Sequence, residues 1–361
     1  MLWSYPEGFA YFNEFAQSII WEPVAFSYAL LISGADLLLL AALALLSGYL
    51  RRAIPMFLIL GLSFFSVILL GPLADLALPH RATEILTRPH LASTEMHPGI
   101  SVMALYGGLL WPLTFIVALI FALLYFSYPM HKKGGTFSFL SFGVKSEESY
   151  ERLKPAMKVL AAILVPLSAL WTIYPGMLFF SQTWIYAWKN WGLMLPMFFG
   201  ETFITATGTA LILYYLERME DERIRYPLLQ IHGAAAIALA GVLILQMFIW
   251  GMWGNPNFAA VVPMMQAAAV IFLLTFILTL VSAKYEAITP IVPVLALFGV
   301  VVNKWNLIIN GQLISRAGMG VLEPELAPNW LAEAVSPIAL AILLLVILSY
   351  IFPMEVEEDA A

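Results

Sequence analysis

The sequence predicts an all-α fold: a polytopic transmembrane helix bundle of about nine spans. Three observations carry that expectation. The 361 residues are 62% hydrophobic and only 11% charged, with a mean hydropathy of +0.89. Soluble domains carry roughly 25% charged residues. Nine segments are apolar over a length that crosses a bilayer, at about 21–49, 54–78, 98–128, 156–181, 191–216, 228–250, 261–283, 287–311 and 330–352. The breaks between them hold helix-stopping residues, among them Pro79, Pro98, Gly134, Gly135, Pro155, Pro227, Gly254, Pro256, Pro324 and Pro328. A chain of this length fits one integral membrane domain over 1–361. Nine spans suggest two four-helix bundles plus an extra helix. No fixed-period repeat is visible.

Residues 1–20 form an N-terminal segment in which Phe9, Phe12, Phe15 and Ile19 fall near helical spacing, with Glu14 and Gln17 between them. This predicts a short helix lying on the membrane surface. It has neither a basic n-region nor a cleavage site, so no signal peptide is expected.

The first span carries Asp36 in "LLISGADLLLL", with Tyr28 and Ile32 on the same face. An acid in mid-span is costly in lipid and faces a cavity or a partner. It reads either as a proton-relay or ligand contact, or as a neutral carboxyl bonded to a neighbouring helix.

The hinge after the second span, "GPLADLALPHRATEILTRPHLASTEMHPG", covers 71–99 and gathers three of the five histidines: His80, His90 and His97. Asp75, Arg81, Glu84, Arg88 and Glu95 lie there too. An interfacial loop collects charges wherever water begins. Asp75 nevertheless precedes the loop, close to the membrane boundary. Beside Arg81 and His80 it would stay ionised in a half-dry site. Histidine titrates near neutrality and moves protons there. A carboxylate and a histidine at a membrane edge suit a quinone, whose redox reaction couples electrons to protons.

The fifth span holds Glu201 at the head of "ETFITATGTALIL", with Thr205, Gly208 and Thr209 on its face. Small residues and threonines there serve close helix packing, which leaves Glu201 to be explained. His232 stands alone near the start of the sixth span and reads as a helix-contact histidine. A b-type haem needs two histidines on facing helices, so no haem is expected, and no metal site either. The eighth span runs "VVNKWNLIINGQLISRAG": Asn303, Asn306 and Asn310 make one polar stripe, and Lys304 with Gln312 a neighbouring one. Lys304 alone could snorkel, but the stripe favours a hydrated path or a partner contact, with Glu201 on another helix as a possible partner. An acidic tail closes the chain over 353–361.

The chain has no cysteine. Iron–sulfur clusters, c-type haem and disulfides are therefore excluded, and any electron carrier must be a bound small molecule or a partner subunit. Alternation of nine spans puts Arg51, Arg52, Lys132, Lys133, Lys145, Arg152, Lys154, Lys158, Arg218, Arg223, Arg225 and Lys284 on one side. Arg81, Arg88, Lys189 and Arg316 fall on the other. The positive-inside rule makes the first side cytoplasmic. The expectation is a multi-pass protein of the cytoplasmic membrane, with the N-terminus and the hinge outside and the C-terminus inside.

The segment "DLALPHRATEILTRPHLASTEMHPG" resembles the Asp-Leu-Gly-x-Pro-x-Arg segment and following Ser/Met/Gly turn of NrfD/PsrC-type membrane subunits. This is the family of the polysulfide reductase membrane subunit and its relatives in sulfate-reducer and alternative complex III assemblies. "WEPVAFSYALLISGADL", "LWTIYPGMLF", "WGLMLPMFFGETFITATGTAL" and "KWNLIINGQLISRAG" resemble further family stretches, in the right order over about 21–318. The resemblance carries over to Asp75, Pro79, Arg81, Met96, Gly99, Tyr174, Gly176, Asn306, Gly311 and Gln312. The chain departs from the pattern at Asp36, Glu201, Lys304 and His97.

The resemblance implies a quinone-binding bundle (menaquinone-like or other) with no redox metal of its own. A ferredoxin-like iron–sulfur subunit and a catalytic subunit, of molybdopterin type, dock on it. Asp75, His80 and His97 are then the candidate proton-handling head-group site, with Arg81 as a further contact. Tyr28 and Tyr106 are candidates to bond or stack on the ring. Asp36, Glu201 and Lys304 are candidates for proton conduction. The iron–sulfur partner is expected at the outer loops, around 184–191 and Arg316. Membrane lipid is the other partner, and nucleic acid is not one. The rival reading is an ion or small-solute transporter or channel with no redox role, since midplane acids on broken helices suit one.

Overall fold

The structure, a computed structural model, describes residues 27, 29–71, 83–87, 91–92, 101–181, 185–314, 326 and 328–354. The described residues build long helices and no extended strand. Nine helices are named here: α1 (Ser33–Ser47), α2 (Ile54–Val67), α3 (Trp111–Lys133), α4 (Lys154–Ser181), α5 (Met194–Leu216), α6 (Glu222–Ile249), α7 (Val262–Ser282), α8 (Ile291–Trp305) and α9 (Trp330–Ile351). With their helical extensions, eight are long and apolar enough to cross a membrane. The exception, α2, has 14 residues, and description stops at Gly71, inside the apolar segment 54–78. The chain is a multi-pass membrane protein.

The helices form two four-membered rings. In the first, α1 packs on α2 and α4, and α3 closes against α2 and α4. In the second, α5 packs on α6 and α8, and α7 closes between α6 and α8. The rings meet where α5 touches α1 and α4, and α9 lies outside against α2. This is the expected pair of four-helix bundles with one extra helix. Much of α9 is exposed, including Leu331, Val335, Leu343 and Val346. In a bilayer this is the lipid face, and it remains apolar because lipid offers no hydrogen-bond partner.

Local chemistry explains the boundaries and the tightest contact. Gly48 ends α1 in a left-handed turn at φ 79°, and its N–H donates to the Ala44 carbonyl at 3.0 Å. Pro55, Pro112 and Pro263 sit in the first turns of α2, α3 and α7, where a missing N–H costs nothing. Asp221 caps α6, accepting the Arg223 N–H at 2.9 Å. Between α1 and α2, a Cβ on Gly34 would come within 2.6 Å of the Phe65 backbone nitrogen. Only glycine permits that approach, and close approach of backbones is what holds membrane helices together.

Loops join the rings at one end. Arg52, in the turn before α2, donates to Asp221 at 2.6 Å. Burial pushes the Asp221 carboxyl up, but the Arg52 bond and the Arg223 N–H outweigh it and hold the pKa below the usual value of 3.8. Nearby, buried Arg225 is ion-paired with Glu286 and lies 3.3 Å from Glu222.

Candidate functional site

The first site begins on α5. Its threonines are largely self-satisfied: Thr205, Thr207 and Thr209 return their hydroxyl protons to carbonyls one turn back, at 2.7, 2.9 and 2.9 Å. Glu201 has no such local outlet. It points across to α8, where Lys304 forms an ion pair with one carboxylate oxygen and the Asn303 amide donates to the other at 2.6 Å. Both members of the pair are fully buried. The ammonium also lies 3.5 Å from the centroid of Phe198, a cation–π contact that strengthens away from water. Lys304 therefore does not snorkel.

A small apolar cavity of about 10 Å³ lies beside the Lys304 side chain, lined also by Tyr174, Pro175, Leu178, Phe179, Phe198 and Ile308. It is about the size of one water, but its apolar lining offers a water no partner, so the site is dry.

The second site is Asp36, fully buried on α1. Thr172 of α4 donates to one carboxylate oxygen at 2.6 Å, and the other oxygen has no hydrogen-bond partner. Thr202 approaches the same carboxyl, but its proton serves the carbonyls of Phe198 and Phe199 at 3.0 and 3.2 Å. Glu201 and Thr202 are consecutive, so one helix, α5, presents successive residues to the two buried carboxyl sites. The rings also repeat a pairing. In each, an acid on the first helix (α1 or α5) is bonded from the fourth (α4 or α8).

Tyr106 lies in a π-helical turn, Ala104–Leu110, leading into α3. Its hydroxyl donates to the Met177 sulfur at 3.3 Å, and its ring packs on Trp171 and Tyr174 with centroids 5.4 and 4.7 Å apart. Tyr174 lines the cavity beside Lys304, so Tyr106 is joined to the first site through one ring. A second π turn, Asn306–Asn310, follows α8. By helix alternation both π turns lie at the same membrane face. Such turns recur at functional sites.

No known family model matches the chain.

The remaining candidates fall into two groups. Asp75, His80, Arg81, His97 and Tyr28 lie outside the described residues, as do Trp184 and Arg316. Of the eighth-span stripe, only Asn303 and Lys304 meet Glu201. The Asn306 amide donates to the Val261 carbonyl at 2.9 Å, and the Asn310 amide to Ala260 at 3.2 Å and to the Asn306 side chain at 3.0 Å. The Gln312 amide donates to the Ile308 carbonyl at 2.9 Å. These groups pin the π turn to the segment before α7. Trp188, expected to help a partner dock, points inward, and its indole N–H donates to the Leu307 carbonyl at 2.8 Å. His232 bonds Thr207 at 2.9 Å, a helix contact.

Sequence reasoning missed Thr172, Asn303 as a ligand of Glu201, and the Tyr106–Trp171–Tyr174 cluster. A hydroxyl in the apolar run "ALWTIYPG" was the only signal for Thr172.

Proposed function

We propose that the chain is the quinone-reactive membrane subunit of a respiratory oxidoreductase, exchanging electrons with an iron–sulfur partner while its buried groups handle the coupled protons. The observation that supports this reading is the placement of Glu201–Lys304 and Asp36 on either side of α5, with Tyr174 beside the first pair and Tyr106 packed on Tyr174. Ionisable groups are rarely kept inside a membrane bundle without a task. A bound quinone supplies two-electron, two-proton chemistry. The chain's part is to hold and pass protons. Asp36 has one oxygen open to receive a proton. Glu201 can release Lys304 only by accepting one, so the pair holds a proton at either of two atoms. In this reading the head group binds at the hinge, where the resemblance carries over Asp75 and Arg81 and where His80 and His97 are the further candidates.

The test is purification of the assembled complex. Four-iron clusters in a co-purified subunit together with extractable quinone support the proposal. A chain that purifies alone, with neither, supports the transporter reading, which the duplicated ring-and-acid arrangement also suits. In the complex, Lys304→Met and Glu201→Gln should each slow proton-coupled turnover without emptying the quinone site. The double variant should be little worse than either single one. Normal turnover and proton uptake in both single variants would leave the pair a purely structural seam.

A further inference from the structure

The loop joining α3 to α4 is more ordered than its task of connection requires. Gly134, Gly135 and Gly143 take φ values of 64°, 78° and 81°. Successive tight turns close it: Ser138 N–H to Gly135 carbonyl at 3.2 Å, Leu140 to Phe137 at 3.0 Å, Phe142 to Phe139 at 3.1 Å and Val144 to Ser141 at 2.9 Å. The loop is also tied down. Tyr150 donates to the Tyr125 carbonyl at 2.9 Å, and Lys133 donates to the carbonyls of Tyr350 and Ile351 at 2.9 and 3.0 Å, closing the end of α9.

What this rigid loop displays is apolar. Phe139 is 68% exposed and Phe142 is 62% exposed. Phe142 is held at φ 48°, a conformation that is an outlier for a bulky side chain. Strain kept at an exposed aromatic points to a use for that side chain. Phe137 of the same loop meets Tyr350 edge-on at 6.1 Å, and Tyr350 is itself 75% exposed at the end of the lipid-facing α9. His131, Lys132, Lys133 and Lys145 flank the loop in sequence and are exposed, and no acid occurs between His131 and Ser146.

We propose that this loop is a lipid-binding site: Phe139 and Phe142 insert into the interfacial layer of the bilayer, and Lys132 and Lys145 engage anionic phospholipid headgroups. Three observations favour lipid over a protein partner. The loop is bonded to the last turn of α9, whose neighbouring surface faces lipid. Phe137 of the loop meets Tyr350 at the end of a span, and exposed phenylalanines beside basic residues are suited to lie in the membrane interface. The loop itself carries Lys132, Lys133 and Lys145 and no acid before Glu147, so its own charge attracts anionic headgroups, as basic segments beside a span do. The proposal does not depend on what the protein catalyses.

The chain has no cysteine, so a single introduced thiol is a unique label. Phe139→Cys and Phe142→Cys, each keeping the other phenylalanine, would carry a nitroxide in the full chain reconstituted into liposomes. Collision with oxygen, which concentrates in lipid, is compared with collision with a water-soluble nickel chelate. Leu280→Cys on the apolar flank of α7 gives the lipid reference, and Glu147→Cys the water reference. With phosphatidylglycerol present, both loop labels should show an oxygen-to-nickel ratio several-fold above the Glu147 label and approaching the Leu280 label. The ratio should fall in pure phosphatidylcholine, and also in the Lys132→Gln/Lys145→Gln background. A ratio equal to the Glu147 label in both lipids would overturn insertion. Exclusion of both reagents would place the loop under protein and overturn it too. A high ratio indifferent to lipid charge would overturn the headgroup contact. An unchanged Leu280 label reports that each variant is folded.

Discussion

Replacing Lys304 with methionine removes a charge and keeps an unbranched side chain of similar length. Glu201 would then face only the Asn303 amide at 2.6 Å, with its second oxygen bare in a site closed to water. Removing one partner of a buried ion pair costs about 3–5 kcal/mol, because the remaining charge loses its compensation. Glu201→Gln leaves an ammonium with no counter-charge, facing one amide oxygen for which the Asn303 amide also competes, and the Phe198 ring 3.5 Å away. A cation–π contact of about 2 kcal/mol in a dry site does not repair it. The double variant, Lys304→Met with Glu201→Gln, has no charge left to desolvate, and neutral replacement of such pairs is often close to silent. The expected cycle is therefore strongly non-additive: each single variant loses about 3–5 kcal/mol, the double loses less than either, and the coupling is about 3 kcal/mol or more. Detergent-solubilised protein, unfolded by graded SDS and followed by tryptophan fluorescence, gives the four free energies. Single variants within about 0.5 kcal/mol of the parent, with an additive double, would refute the claim that these groups are a charged, mutually dependent pair.

Three other outcomes follow from the same reasoning. Trp188→Phe keeps a large ring but removes the donor to the Leu307 carbonyl, and should cost about 1 kcal/mol in the same unfolding assay. Asp221 has a lowered pKa, so its contribution is present above 3.8 and lost as pH falls through the still lower folded value. Asp221→Asn should therefore be less stable than the parent near neutrality, by no more than about 1 kcal/mol for so exposed a pair. The two should converge on acidification below pH 3.8, and a gap that widens there would contradict the sign. The charge asymmetry of the loops predicts an N-terminal tag accessible outside intact cells and a C-terminal tag protected within. The reverse would move the hinge to the cytoplasm.

The sequence announced its fold plainly because hydropathy over twenty residues integrates many side chains, and single errors average out. The pairing of rings was also within reach, since nine spans with short loops leave few arrangements. Side-chain partnerships were harder. Asp36, Glu201 and Lys304 were visible because each is expensive in lipid, and Glu201 was a possible partner for Lys304 as the acid of another span, yet nothing local pointed Asp36 to Thr172. The stripe of Asn306 and Asn310 has the same residue type and helical spacing as Asn303. Its role differs because a π turn intervenes, and no periodicity argument foresees one. The internal duplication escaped because what repeats is geometry: an acid on the first helix of a ring, bonded from the fourth. Aspartate with threonine in one ring and glutamate with lysine in the other share no letters.

The π turn at Asn306–Asn310 begins two residues after Lys304. A π turn holds one residue more than an α turn of the same rise, so α8 stores a spare residue beside its buried charge. Successive residues of a helix are about 100° apart around its axis. If the bulge travelled three positions back along the chain, past Lys304, the helix ends would stay where they are. The ammonium, however, would swing by about one residue's angle away from the carboxylate of Glu201. The position of the turn thus sets the register of the buried charge: with the extra residue placed after position 304, the side chain that α8 presents to Glu201 is the lysine.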